Sequence, residues 1–380
     1  MMTRENPTQM SNHPVYVVTG SNTGIGYSIA DQLLEIHGKT GVTVVLACRN
    51  LAKASVACAS LLAKHGLSPS IKVEVLECDL SLAASVLAAS VELRTRLAPH
   101  GRITALVFNA GMIPIDCISI PAAVRAFVRN PANVVNATGD TIIQHRGVIT
   151  RDGLHLGEAF AANFFGHFLL LRELEDLLVE DGRVIWMTSN TAEAKFFNAE
   201  DLMCLKGTHP YESAKRLIEI VAPELSKRGL KCAIANPGVS ATDVVQGKVP
   251  LWAVVIFLYI VRFFGIVGVN ITPFNSAKAP VYLAAESLDQ RDFDGQMIVM
   301  SDTSVFGTRR IRKVPVTTDG LSVCHGDVCT IGVSPKEILK QVEALRASVK
   351  EHLSATESVT KMGVDAVHET MTRGRGQKRA

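Results

Sequence analysis

The sequence predicts an α/β protein built on a doubly wound, mostly parallel sheet with helices on both faces. Three observations predict it. Short Val/Ile/Leu-rich runs alternate with segments of helical spacing from Pro14 to Val305, as successive βαβ units do. The apolar runs are continuous, as strands covered on both faces require. A glycine-rich turn, "TGSNTGIG", joins the first apolar run to the first amphipathic one.

Seven strands are expected: Val15–Thr19, Val42–Ala47, Lys72–Glu77, Ala105–Phe108, Arg183–Thr188, Cys232–Asn236 and Met297–Met300. The clearest helices are Gly157–Leu178 and Tyr211–Ser226. Residues 1–13 are polar and read as a loose N-terminus, and 14–305 as one sheet domain. Residues 113–151, with Pro114, Pro121 and Pro131, exceed a minimal connection and read as an insert beside the mouth of the sheet. Residues 306–380 read as a C-terminal extension, with a helix over Ser334–Ser354 and a basic, disordered tail, "RGRGQKRA". Segment 317–333 fits no pattern.

The 380 residues are 47% hydrophobic and 20% charged, a folded composition. A net charge of +3 gives nucleic-acid binding no support. The eight cysteines are scattered, mostly inside apolar runs, which suits reduced thiols. Cys324, His325 and Cys329 are too small a set for a zinc site, and no metal is expected. No basic start with a long apolar core marks a secretory signal.

Gly20 permits a tight turn, Gly24 close approach of a phosphate, and Gly26 packing of the helix on the sheet. The helix N-terminus behind them, with Ser21, Asn22, Thr23 and Ile25 in the turn, offers free N–H groups to a pyrophosphate. A plain strand–helix turn has the same appearance, because the spacing G-x-x-x-G-x-G is not the general dinucleotide fingerprint. Arg49 follows the second strand where an NAD site places an acid, and a guanidinium there suits the 2′-phosphate of NADP. Asp79, followed by Leu80, either bonds an adenine amine or caps the next helix. Asn109, Ala110 and Gly111 end the fourth strand, where they would line the crevice.

"YESAK" sets Tyr211 and Lys215 at i and i+4, on one helix face. An ammonium beside a phenol lowers the phenol pKa and makes it a usable acid. Thr188 and Ser189 end a strand at the ligand side of such a sheet. Asn163 is a polar residue on an apolar helix, either a site residue or a packing amide.

"TGSNTGIG", "NAG", "SN…YESAK" and "NPGVSAT" stand in the order of the short-chain dehydrogenase/reductase family, which the chain resembles from Pro14 to Ser304. The resemblance implies a Rossmann-type fold and a catalytic tetrad of Ser189, Tyr211, Lys215 and Asn163. In it Lys215 lowers the Tyr211 pKa and binds ribose, and Asn163 orders a water that reloads the proton. It implies that Pro237, Gly238, Val239 and Thr242 form the turn at the nicotinamide half of NADP(H). "DGLHLGEAFAANFFGHFLLLRELEDLL", "NITPFNSAKAPVYL" and "SDTSVFGTRR" further resemble the 3-keto-steroid reductases of sterol biosynthesis. That group shares the wide Ser189–Tyr211 separation, which favours Ser189 over Thr188. The likeness implies NADPH-dependent reduction of the C3 ketone of 4-methyl sterols in C4 demethylation, at the cytoplasmic face of the endoplasmic reticulum or a lipid droplet, with other C4-demethylation enzymes as partners. A reductase of retinol-type or other lipid carbonyls has the same tetrad, and a non-catalytic scaffold of a sterol complex is the remaining alternative.

The most apolar stretch, Leu251–Val269, approaches the ~20 residues that cross a bilayer. Arg262 inside it opposes insertion, and a crossing there would part Met297–Met300 from its own sheet. The segment therefore reads as a hydrophobic helix on a membrane surface beside the substrate entrance, with a buried lid or dimer helix as the alternative.

Overall fold

The computed structural model describes residues 13–66, 70–97, 102–129, 141–241, 251–263, 265–316, 322–325, 328–331 and 333–376. β1 (Val15–Thr19) leads through the glycine turn into α1 (Gly24–His37). There follow β2 (Val42–Cys48), α2 (Leu51–His65), β3 (Ile71–Glu77), α3 (Ala83–Leu97) and β4 (Ile103–Phe108). The insert comes next, with β5 (Ile115–Ile118) and β6 (Ile142–Gln144) paired antiparallel around a connection that holds α4 (Ile120–Arg129). The chain returns through a helical turn at Glu158–Phe160, a π-helical turn at Ala161–Phe165 and α5 (Gly166–Leu174). Then come β7 (Leu178–Met187), α6 (Pro210–Ser226), β8 (Lys231–Asn236), β9 (Val239–Ser240), α7 (Leu251–Phe263), β10 (Val269–Ile271), β11 (Asp294–Thr303) and β12 (Arg309–Pro315). A small hairpin, β13 (Ser322–His325) and β14 (Val328–Ile331), precedes α8 (Pro335–Gly376).

The main sheet has the order β12-β11-β8-β7-β4-β1-β2-β3. Its pairs are parallel except β11 with β12. β1 has β2 on one side and β4 on the other, so the strand order reverses there and a crevice opens past the strand ends. On one face α1 and α2 press Ile29, Leu33 and Leu61 against Val18, Val44 and Leu46. An aromatic cluster of Phe108, Phe164, Phe168 and Trp186, with His167 stacked on Phe108, links β4 and β7 to the π-helical turn and α5.

Among the described residues eight strands, not the expected seven, make the main sheet, and it continues past Val305. β12, "RRIRKVP", carries four cations in seven residues, which hides it from a hydrophobic pattern. An edge strand tolerates them because one side stays solvated. Arg310 and Arg312 both reach the buried Asp302 carboxylate, at 3.2 and 2.8 Å, while Ile311 packs on the core.

The apolar segment is helical only to Phe263. Gly265 and Gly268 take φ of +72° and +79°, outside the helical region, and Val269 pairs into β10. Among the described residues no helix is long and apolar enough to cross a membrane. α7 lies on the surface with Leu258 and Val261 buried, while Trp252 and Phe263 are 69% and 74% exposed. Beyond residue 338, α8 forms a second unit by itself, and its helix runs past the expected Ser354 to Gly376. Residues 377–380 of the basic tail lie outside the described residues.

Candidate active site

The glycine turn has the geometry that its residues require. Gly20 and Gly24 take φ of +63° and +59°. A Cβ on Gly26 would stand 2.3 Å from the Gly20 carbonyl and 2.5 Å from Asn109 Nδ2, so only glycine lets α1 approach β1 and β4 this closely. Asn109 donates to the Thr19 and Gly20 carbonyls at 3.0 and 3.3 Å, and the Ala110 N–H donates to Thr19 Oγ1 at 3.0 Å. The "NAG" residues thus brace the turn as well as line the crevice.

Past the turn lies an open cavity of about 480 Å³. Gly20, Asn22, Thr23, Gly24 and Ile25 form one wall, Arg49, Asp79 and Leu80 another, and Asn109, Ala110 and Gly111 the floor. The exposed N–H end of α1, the cramped glycines and the cationic rim fit a dinucleotide. The structure also adds Lys53 beside Arg49 at this rim. Asn50 caps α2 by accepting from the Lys53 N–H at 2.9 Å. The signal for Lys53 was its place in the first turn after Arg49, which makes both project from one helix start. The Ser21 side chain does not face the cavity. Its hydroxyl turns inward to the Val18 carbonyl at 2.8 Å, and the residue is wholly buried, because the turn tucks this side chain against Cys48. Asp79 bonds the Ser81 N–H and hydroxyl through one oxygen at 3.0 and 2.7 Å and still borders the cavity.

The four tetrad residues converge beyond Gly111. Asn163 Oδ1 would lie 2.6 Å from a Cβ on Gly111, and Lys215 Nζ 3.6 Å. Tyr211 and Lys215 share the inner face of α6, with Nζ 5.8 Å from the phenol ring centre. Ser189, just past β7, shares its hydroxyl with Thr191 Oγ1 at 3.1 Å and stands close enough to the Tyr211 phenol to lower its pKa. Thr188 instead donates to the buried Glu219 at 2.7 Å, which Arg216 pairs at 2.8 Å, so its hydroxyl is turned away from Tyr211.

The surroundings of Tyr211, Lys215 and Asn163 set their protonation and their partners. Burial pushes the Tyr211 phenol up to about 12, against the Ser189 hydrogen bond and with the Glu212 charge adding to the rise. Burial drives the Lys215 amine down to about 7, and its Nζ donates to the Met187 carbonyl at 2.8 Å. The Asn163 amide bonds backbone groups. It accepts from Met112 N–H at 3.0 Å and donates to the Met112 and Ala159 carbonyls at 2.8 Å each, clamping the loop after β4 at the mouth. Behind it His167, held neutral to about 3 by burial and then by Lys215, bonds Thr19 Oγ1 at 2.9 Å.

Gly238, φ +63°, packs where a Cβ would stand 2.3 Å from the Gly268 carbonyl, and Val239 N–H donates to that carbonyl at 2.7 Å. Pro237 precedes it, with its carbonyl accepting from Asn270 at 2.7 Å. Gly268 in turn abuts Asn190, the residue after Ser189, so the loop leaving α7 reaches the rim of the tetrad. Thr242 lies outside the described residues. Among the described residues no three His, Cys, Asp or Glu side chains gather as a metal site.

Comparison with known proteins decides the family. The family profile described as short chain dehydrogenase matches residues 14–250. The chain belongs to the short-chain dehydrogenase family. It is 33% identical over 283 residues to the human 3-keto-steroid reductase/17-beta-hydroxysteroid dehydrogenase 7, covering 71% of this chain and 79% of that protein. It is 26% identical over 317 residues to a 3-keto-steroid reductase of Yarrowia lipolytica, covering 80% and 90%. The solved structure of salutaridine reductase from Papaver somniferum shares the fold, with a TM-score of 0.51 at 18% identity over 74% of this chain and 98% of that one. This short-chain dehydrogenase has a nucleotide-cofactor crevice and a Ser–Tyr–Lys cluster at its inner end.

Proposed function

We propose that the chain is an NADPH-dependent 3-ketosterol reductase, reducing the C3 ketone of 4-methyl sterol intermediates to the 3-hydroxyl in C4 demethylation. The observation that carries the reading is the Tyr211–Ser189–Lys215 cluster at the inner end of the crevice. The names of the similar human and yeast proteins support the steroid ketone. Arg49 and Lys53 on one rim support a 2′-phosphate, hence NADP(H) rather than NAD(H).

In this reading bound NADPH supplies the hydride. The glycine turn and the α1 N-terminus hold its pyrophosphate, and Arg49 and Lys53 its 2′-phosphate. Burial keeps Tyr211 protonated through neutral pH, and its phenol gives a proton to the ketone oxygen while Ser189 holds that oxygen by hydrogen bond. Lys215 takes a ribose hydroxyl, and Asn163 fixes the Met112 loop beside the substrate.

The same reading seats α7 on a membrane surface, as a sterol entering from lipid requires. Its outward Trp252 and Phe263 continue into Phe306, 96% exposed in the β11–β12 turn, where Gly307 stands near the Arg262 guanidinium. Arg310 and Arg312 share one carboxylate, leaving an excess positive charge for anionic headgroups. We propose that it works at the cytoplasmic face of the endoplasmic reticulum or a lipid droplet, beside other C4-demethylation enzymes. Tyr211→Phe should abolish 3-ketosterol reduction with NADPH affinity retained; residual turnover near the parent rate refutes the assignment. Trp252→Ser/Phe263→Ser should release the protein from anionic liposomes in a flotation assay, and unchanged flotation refutes the membrane seat.

A further inference from the structure

The insert does more than border the mouth. Its strand β6 ends on Gln144, which is 3% exposed and uses both ends of its amide on the start of the catalytic helix. Gln144 Oε1 accepts from the Tyr211 backbone N–H at 3.1 Å, and Nε2 donates to Glu212 Oε2 at 2.6 Å. Glu212 is 1% exposed. A helix leaves its first N–H groups without intrahelical partners. α6 begins with Pro210, and its N-cap His209 makes no side-chain cap hydrogen bond. Gln144 caps that end from 67 residues upstream.

We propose that Gln144 is a positioning residue for Tyr211: it fixes the backbone from which the phenol projects and holds the buried Glu212 carboxylate beside it. The proposal rests on the reading of Tyr211 as the proton donor. The hairpin also ties this anchor to the mouth. Ile115 pairs with Gln144, and the His145 N–H donates to the Pro114 carbonyl at 2.8 Å, directly after Met112 and Ile113 on the crevice wall. The insert is thereby a brace between the crevice wall and the catalytic tyrosine.

The test uses the full chain, NADPH and a 3-ketosterol. Gln144→Ala should lower kcat about 10- to 100-fold, the effect of a slightly misplaced catalytic group, with NADPH affinity unchanged. Gln144→Glu keeps the shape and gives a readout that simple loosening does not. With its new carboxyl protonated, the variant accepts from Tyr211 N–H and donates to Glu212. Once ionised, it sets two carboxylates against each other. Its kcat should match the parent on the acid side and fall as pH rises. The other titratable groups around this point are Tyr211 and Lys215 on α6, Cys204, Asp201 and His209 on the preceding loop, His145 with Asp116 on the insert, and Glu158. All are common to parent and variant, so the difference profile isolates position 144. A Gln144→Ala enzyme with parental kcat, or a Gln144→Glu profile superimposable on the parent, overturns the proposal. Full activity in Tyr211→Phe overturns the proton-donor reading instead, so the two failures are distinct.

Discussion

Replacing Arg49 and Lys53 tests the cofactor choice by its size as well as its direction. Both side chains rim the crevice, and the acids lining it are Asp79, with one oxygen held by Ser81, and Glu158. A charge-assisted contact is worth about 1.5–3 kcal/mol. Arg49 is exposed, so the lower end applies, and about 1.4 kcal/mol is tenfold in affinity. Arg49→Ala should weaken NADPH binding about tenfold and leave NADH binding unchanged. Adding Lys53→Ala should weaken it further, though by less than a second full factor, because both cations address one phosphate. Arg49→Asp should reverse the preference, since a carboxylate repels the 2′-phosphate and accepts from a free ribose hydroxyl. Fluorescence titration of the two reduced cofactors at low and high salt measures this, and the NADPH advantage should shrink with salt. A parallel loss of NADPH and NADH affinity in Arg49→Ala refutes the reasoning.

Three further outcomes follow from the same geometry. Gly26→Ala forces a Cβ onto the Gly20 carbonyl at 2.3 Å, so it should lose about 1–3 kcal/mol of stability and its cofactor binding, as denaturant melts and titration would report. Ser21→Ala should leave cofactor affinity unchanged, because that hydroxyl points at Val18 rather than the crevice; a clear loss of affinity returns Ser21 to the site. Lys215→Met tests the buried amine through pH. The folded protein holds this group near 7 against an ordinary 10.5, so between those values the unfolded chain carries the extra proton and the parent gains stability as pH rises. The variant should therefore be more stable than the parent at pH 6, with the gap closing toward pH 10; a pH-independent gap contradicts the burial argument.

What was legible in the sequence was set by local pattern. β1 matches its expected bounds because a continuous apolar run ends at a glycine with positive φ. The Tyr211–Lys215 face was legible because helical spacing alone places it. β12 was not, since an edge strand answers to solvent and to a single buried partner, Asp302, rather than to an apolar pattern. The last third of the Leu251–Val269 segment is not helical for a related reason: Gly265 and Gly268 leave the helical region, and Val269 pairs with β9. Gln144 carried no local signal at all. Its meaning lies in two hydrogen bonds to residues 67 and 68 positions away. The burial that raises the Tyr211 phenol and lowers the Lys215 amine has no signature in an i, i+4 pair.

The account rests most heavily on what stands in front of Tyr211. The most direct measurement is NADPH oxidation by the purified 380-residue chain on a panel of 4-methyl 3-ketosterols, 17-ketosteroids and retinal, each run beside Tyr211→Phe. The account predicts that 3-ketosterols turn over fastest, yield the 3-hydroxyl product and fall silent in the variant. Preferential turnover of retinal, or sterol reduction that survives Tyr211→Phe, contradicts it.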